Sequence, residues 1–175
     1  TTYLNHYWFV TLLAALAVVA PLDGRRQVAA GWIWLFRFQV AVVYVFAGVA
    51  KLQAEWLLEA LPLRLWLPAR ADFPVIGPLL TLPISAHVLA VAGALFDCLV
   101  VPGLLWRRTR PFAWSALVVF HVSTWLLFPI GVFPWLMIAA STVFWSPDWP
   151  DRLRTTTRSG VARARIPSAT YARCV

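Results

Sequence analysis

The sequence predicts an all-α protein, a polytopic transmembrane helical bundle with four to five visible spans, on three observations. Hydrophobic residues make up 61% of the 175, above the roughly 45–50% of soluble domains, and the mean hydropathy is +0.74. Apolar stretches approaching the ~20 residues that cross a bilayer recur along the chain. The basic residues gather in short loops and at the C-terminal end, as they do in membrane proteins.

Taken in order, the first span is expected over residues 7–22 and the second over 32–49. After a polar connection come a third over 84–106 and a fourth over 111–128. A fifth, 134–145, follows the break "FPIGVFP", where Pro129 lacks an amide hydrogen, Gly131 is permissive and Pro134 interrupts again. That last segment is short and spans only if the break is partly embedded. The chain opens on Thr and enters an apolar segment at once, so further helices are expected upstream. Residues 1–150 form the transmembrane domain. Residues 151–175 lack apolar periodicity and read as a basic, disordered cytoplasmic tail.

Alternating spans place "DGRRQ", "RRTR" and the tail on one side, with two, three and six arginines. The positive-inside rule makes that side cytoplasmic. The net charge of +8 is therefore a topological signal, and no nucleic-acid partner is implied. The connection over 52–83 carries "LPLRLWLPAR" and further prolines and reads as an interfacial segment. Cys98 and Cys174 show no metal-ligand spacing and no disulfide framework, so no metal site is expected.

Lys51 is the chain's only lysine, against fourteen arginines. Arg37, Tyr44, Gly48, Lys51 and Glu55, spaced 7, 4, 3 and 4 residues apart, stay within about 40° of one line on a helix. The second span is thus expected to turn one polar stripe to the bundle. A lysine at a helix end commonly serves as an anchor whose stem snorkels to water. Here His6, His87 and His121 are expected at the same outer depth as Lys51, which describes an intramembrane cavity. An amine accepts a proton only when neutral, so its surroundings decide whether Lys51 is a base. Asp97, deep in its span, is either functional or pairs with a histidine or arginine to hold helices together. His87 reads as a hydrogen-bonded interfacial histidine and Arg37 as a snorkelling anchor. The tryptophans form interfacial belts, with Trp8 and Trp56 candidates for a pocket mouth.

Five motifs occur in one order between Asn5 and Arg152: "NHYW", "YVFAGVAKLQAEW", "LFDCLVVPGLLWRRTR", "FHVSTWLLFPIGVFPWLMIAAS" and "WSPDWP". Together they resemble the membrane domain of vitamin K-dependent gamma-glutamyl carboxylase and its bacterial relatives, the HTTM proteins, here as a partial HTTM domain. In that family an amine base deprotonates reduced vitamin K, oxygen adds, and the strong base so formed removes a gamma proton from glutamate before carbon dioxide adds.

The resemblance implies a lyase-class enzyme performing vitamin K epoxidation and glutamate carboxylation, with Lys51 and His6 as catalytic residues. It further implies Asn5, Tyr44, His121 and Trp56 as binding residues. The implied cofactor is reduced vitamin K (the hydroquinone) or a related quinol, with O2 and CO2 as co-substrates and no metal. The implied partners are the lipid bilayer, the quinone and a glutamate-containing peptide or protein. The expected location is a bacterial cytoplasmic membrane, with the site toward the extracytoplasmic side. The family's lysine pair stands here as Ala50-Lys51, and its acid after Lys-Leu as Gln53. The rival reading is a non-catalytic membrane module that binds a quinone, lipid or partner protein.

Overall fold

The computed structural model describes residues 4–20, 29–146 and 149, with side chains from residue 8 onward. The described residues are helical, with no strand among them. The tail expected over 151–175 and the loop "DGRRQ" lie outside the described residues.

Five longer helices carry the architecture: α1 (Leu4–Val19), α2 (Ala30–Lys51), α6 (Pro83–Leu105), α7 (Arg110–Leu127) and α8 (Phe133–Ala140), the last continued by a 3-10 turn, Ser141–Phe144. Between α2 and α6 lie three short helices, α3 (Ala54–Leu57), α4 (Leu61–Trp66) and α5 (Gly77–Leu80), with a 3-10 turn at Pro68–Arg70. Prolines in the first turns of α6, α7 and α8 fit positions where the missing amide hydrogen is not needed and φ is already helical. The break before α8 is realised at Gly131, whose φ of 65° lies where a side chain is disfavoured.

α2 packs along α6, α6 against α7, and α7 against α8, while the final 3-10 turn returns to α2. Their shared core includes Val40, Tyr44, Val101, Leu104, Leu117 and Met137. Arg37 helps close this ring: its Nε donates to the Val143 carbonyl at 3.0 Å, and its guanidinium lies over Trp34 and Phe144. It ties two helices together rather than only anchoring one to the interface. Of the unit formed by residues 145–175, only 145, 146 and 149 are described, with Trp149 N–H bonded to the Ser146 carbonyl.

Among the described helices, α2 and α6 are long and apolar enough to cross a bilayer, and residues Trp8–Val19 and Phe133–Phe144 form shorter apolar helices. α7 has 18 residues, but Arg110, Ser115, His121, Ser123 and Thr124 lower its hydropathy. Two of the expected four to five spans therefore meet the criterion of length and composition. The outward faces of α2 and α6 carry Phe38, Phe46, Val49, Leu95 and Leu99 in the open. So much exposed apolar surface is costly in water and suits lipid, which points to a membrane protein.

The connection over 52–83 is more ordered than an interfacial strip. Ala60, Leu63, Leu67 and Leu80 form a second core with Ala86 and Ala90 of α6. The three short helices thus cover the N-terminal half of α6.

Candidate functional site

α2 stays helical through Lys51 and then turns, because Leu52 N–H closes a tight bond to the Val49 carbonyl and Gln53 is extended. Arg37, Tyr44, Gly48 and Lys51 share one face, as their spacing requires, but Glu55 leaves the stripe. It sits on α3 and is exposed, so the expected continuation of the helix to Glu55 is corrected. "KLQAE" contains no helix breaker; the chain turns where Trp56 Nε1–H finds the Ala90 carbonyl at 3.0 Å.

The partner of Lys51 is Asp97. The ammonium Nζ and the Asp97 Oδ2 form an ion pair, with side chains 18% and 3% exposed. Gly48, one turn before Lys51, permits this pairing. A Cβ there would lie 3.1 Å from Cys98 Sγ and 3.4 Å from Cys98 N, so a larger residue would push α2 off α6 at the level of Asp97.

On its other sides the ammonium faces the Ala47 carbonyl at 3.5 Å and the ring of Trp56 at 5.1 Å, a cation–π arrangement. Asp97 lies fourteen residues into α6, about 21 Å from its start. The end of α2 is therefore level with the interior of α6 and roofed by the short helices. A snorkelling anchor at a free helix end does not have these surroundings.

Two turns back along α2, the Tyr44 hydroxyl and His121 Nε2 share a buried hydrogen bond of 2.8 Å. Phe96 and Phe120, stacked at 4.0 Å, meet the Tyr44 and His121 rings edge-on, which fixes the imidazole plane. Both polar pairs line one cavity of about 600 Å³. Its walls are otherwise mainly apolar and include Phe9, Phe46, Phe120, Phe133 and Met137. Amphipathic polar–apolar pockets of this size suit small, mainly hydrophobic ligands.

Of the residues expected at a site, the structure brings Lys51, Tyr44 and His121 together on this cavity. Trp56 lies behind the ammonium rather than on the cavity wall. Trp8 lines the cavity. Asn5 and His6 fall in the first turn of α1, and their side chains lie outside the described residues. His87 does not share the level of Lys51. It is ten residues toward the start of α6 from Asp97 and contacts the Pro83 and Leu58 carbonyls.

Asp97 was expected either to be functional or to pair with a histidine or arginine; its partner is Lys51, which the spacing did not indicate. The available signal was the rarity of both charges: the chain's only lysine and an acid within a long apolar run. Among the described residues no group of three histidine, cysteine or carboxylate side chains converges as a metal site would require.

No solved structure matches the chain. Residues 1–149 match the model of the HTTM domain, a domain found in the vitamin K-dependent carboxylase family. With that match covering most of its length, the chain belongs to the HTTM domain family.

Proposed function

We propose that this protein is a vitamin K-dependent carboxylase-like membrane enzyme that oxygenates a reduced quinone, with Lys51 as the amine base, and couples this to carboxylation of glutamate. The observation that carries the reading is one apolar cavity lined by two proton-active pairs, Lys51–Asp97 and Tyr44–His121. A quinol is a flat, mostly apolar ring with a hydroxyl at each end. It needs aromatic walls and two polar groups set across the ring. Lys51 and Tyr44 are seven residues apart on α2, about 10 Å along the axis, on the order of a ring with a hydrogen bond of ~2.8 Å at each end.

When bound, the quinol together with O2 supplies the strong base needed to remove the glutamate gamma proton. The chain's own residues have simpler tasks. Lys51 Nζ takes the proton of the nearer hydroxyl, while Tyr44 and His121 hold the farther oxygen. Phe9, Phe120 and Phe133 make the wall beside the transferred proton apolar, which disfavours its exchange with bulk solvent. The family resemblance adds His6 and Asn5 to the site, their side chains lying outside the described residues. The bundle crosses a bacterial cytoplasmic membrane four or five times, with its arginine-rich loops and tail inside and the site toward the outer side. O2 and CO2, small and apolar, arrive through the bilayer.

One observation favours a second reading, a non-catalytic module that binds a quinone, lipid or partner protein: Lys51 already has Asp97 as a partner, as a packing ion pair would. The two readings separate in membranes supplied with reduced vitamin K, O2 and a glutamate peptide. The enzyme reading expects epoxide from the wild type and a loss of at least about 100-fold in Lys51→Ala. Lys51→Arg should lose as much, because arginine keeps its proton. Full activity in Lys51→Arg would sink the amine-base reading, and a folded wild type that forms no epoxide would favour the module.

A further inference from the structure

An amine that serves as a base must first be neutral, and on a mainly apolar cavity wall a neighbouring group that can take its proton makes that state reachable. Asp97 Oδ2 is such a neighbour, almost fully buried and lining the same cavity as Lys51. Among the described residues, the ionisable side chains around the pair are engaged or turned away: on α6 itself, Cys98 is exposed and His87 contacts the Pro83 and Leu58 carbonyls. Tyr44 and His121 bind each other, Arg37 binds the Val143 carbonyl, Arg110 the Leu104 carbonyl, and Glu55 is exposed on α3. α1 adds His6, whose side chain is outside the described residues. A pair that only held α2 to α6 would have no need to face the cavity with both of its members.

We propose that Asp97 is the positioning residue of the base: it fixes the Lys51 amine at the cavity wall and carries its proton while the amine is neutral. The inference rests on the reading of Lys51 as base. In the first step an N–H bond of Lys51 breaks and an O–H bond of Asp97 forms. The pair is neutral overall before and after, so no net charge appears in the apolar cavity. In the second step the neutral amine takes the quinol hydroxyl proton. That O–H bond breaks, an N–H bond forms, and the electron pair stays on the quinol oxygen, now faced by an ammonium. Gly48 and Trp56 serve the same geometry, the first by letting α6 approach and the second by bracing the amine from behind.

Because Lys51 is the chain's only lysine, its amine can be followed without activity. Reductive methylation of the full-length protein in membranes, read on the Lys51 peptide by mass spectrometry, reports how freely the nitrogen reacts. Loss of the partner charge in Asp97→Asn should speed methylation at least about tenfold, and Asp97→Glu should return it toward wild type. Epoxide formation should fall in Asp97→Asn with a displaced pH profile, and recover in part in Asp97→Glu.

Methylation unchanged in a folded Asp97→Asn would overturn the assignment. Where Asp97→Asn fails to fold, Asp97→Glu decides. Slow methylation with epoxide formation at least partly kept supports the proposal, and fast methylation, or slow methylation with no epoxide where the wild type makes it, overturns it. Methylation released by Asp97→Asn in a protein that makes no epoxide supports the hold of Asp97 on the amine and overturns the catalytic reading beneath it.

Discussion

The cavity region and the short-helix region between α2 and α6 use polar side chains in opposite ways. Around the cavity, side chains meet side chains: Lys51 with Asp97 and Tyr44 with His121. In and around the short helices, side chains meet backbone carbonyls. Arg70 donates to Leu127, Trp56 to Ala90, Thr81 to Pro78 and Ser85 to Leu79. The cause is geometric. Helix ends leave several carbonyls without an intrahelical partner: Pro78 and Leu79 lie in the four-residue α5 and Leu127 closes α7, whereas Ala90, inside α6, accepts from Trp56 in addition to its place in the helix. Along the middle of a long helix the backbone is satisfied internally, which leaves Tyr44, Asp97 and His121 to side-chain partners.

The largest expected effect tests the side-chain pairs directly. Lys51→Leu leaves a buried carboxylate unpaired and should cost about 3–5 kcal/mol in thermal unfolding in detergent. Lys51→Leu with Asp97→Leu should recover most of that while remaining inactive. A double variant no more stable than the single one would mean that the pair does not carry the packing of α2 on α6.

Next in size is Tyr44→Phe, which strips the imidazole of its partner without changing the ring's shape. It should cost about 1–3 kcal/mol and weaken quinol binding, read as a raised KM with the Lys51-dependent step retained. Equal loss of kcat would move Tyr44 from holding the substrate to proton transfer.

The smallest effect belongs to the short-helix region. Arg70→Ala removes one donor from the Leu127 carbonyl and should cost about 1 kcal/mol, with epoxide formation unchanged. A large loss of activity there would break the division between the two regions and make the roof part of the site.

How much was legible in advance differs between the two regions for the same reason. The face shared by Tyr44, Gly48 and Lys51 followed from spacing alone, because neighbours along one helix are fixed by its pitch. Depth placed His121 with Lys51, whereas its ring bonds Tyr44 two turns back along α2. The partner of Lys51 was not legible, because spacing offered Glu55 one turn away whereas the ion pair reaches across to α6. The second core beneath the short helices was not legible either: short turns broken by Pro62, Pro68, Pro74 and Pro78 show no period from which a buried face could be read.

By itself the sequence determined an all-helical, lipid-suited chain, the break at Gly131 and the singular position of Lys51, because composition, helical period and backbone preference are local properties. Only the tertiary structure decided where α2 ends, that Lys51 lies level with the interior of α6, and that Asp97 rather than Glu55 faces it. Those outcomes depend on the register between helices. Register is set by how closely Gly48 lets α2 approach Cys98 and by the bond from Trp56 to the Ala90 carbonyl, contacts between residues far apart in the chain that no local pattern records.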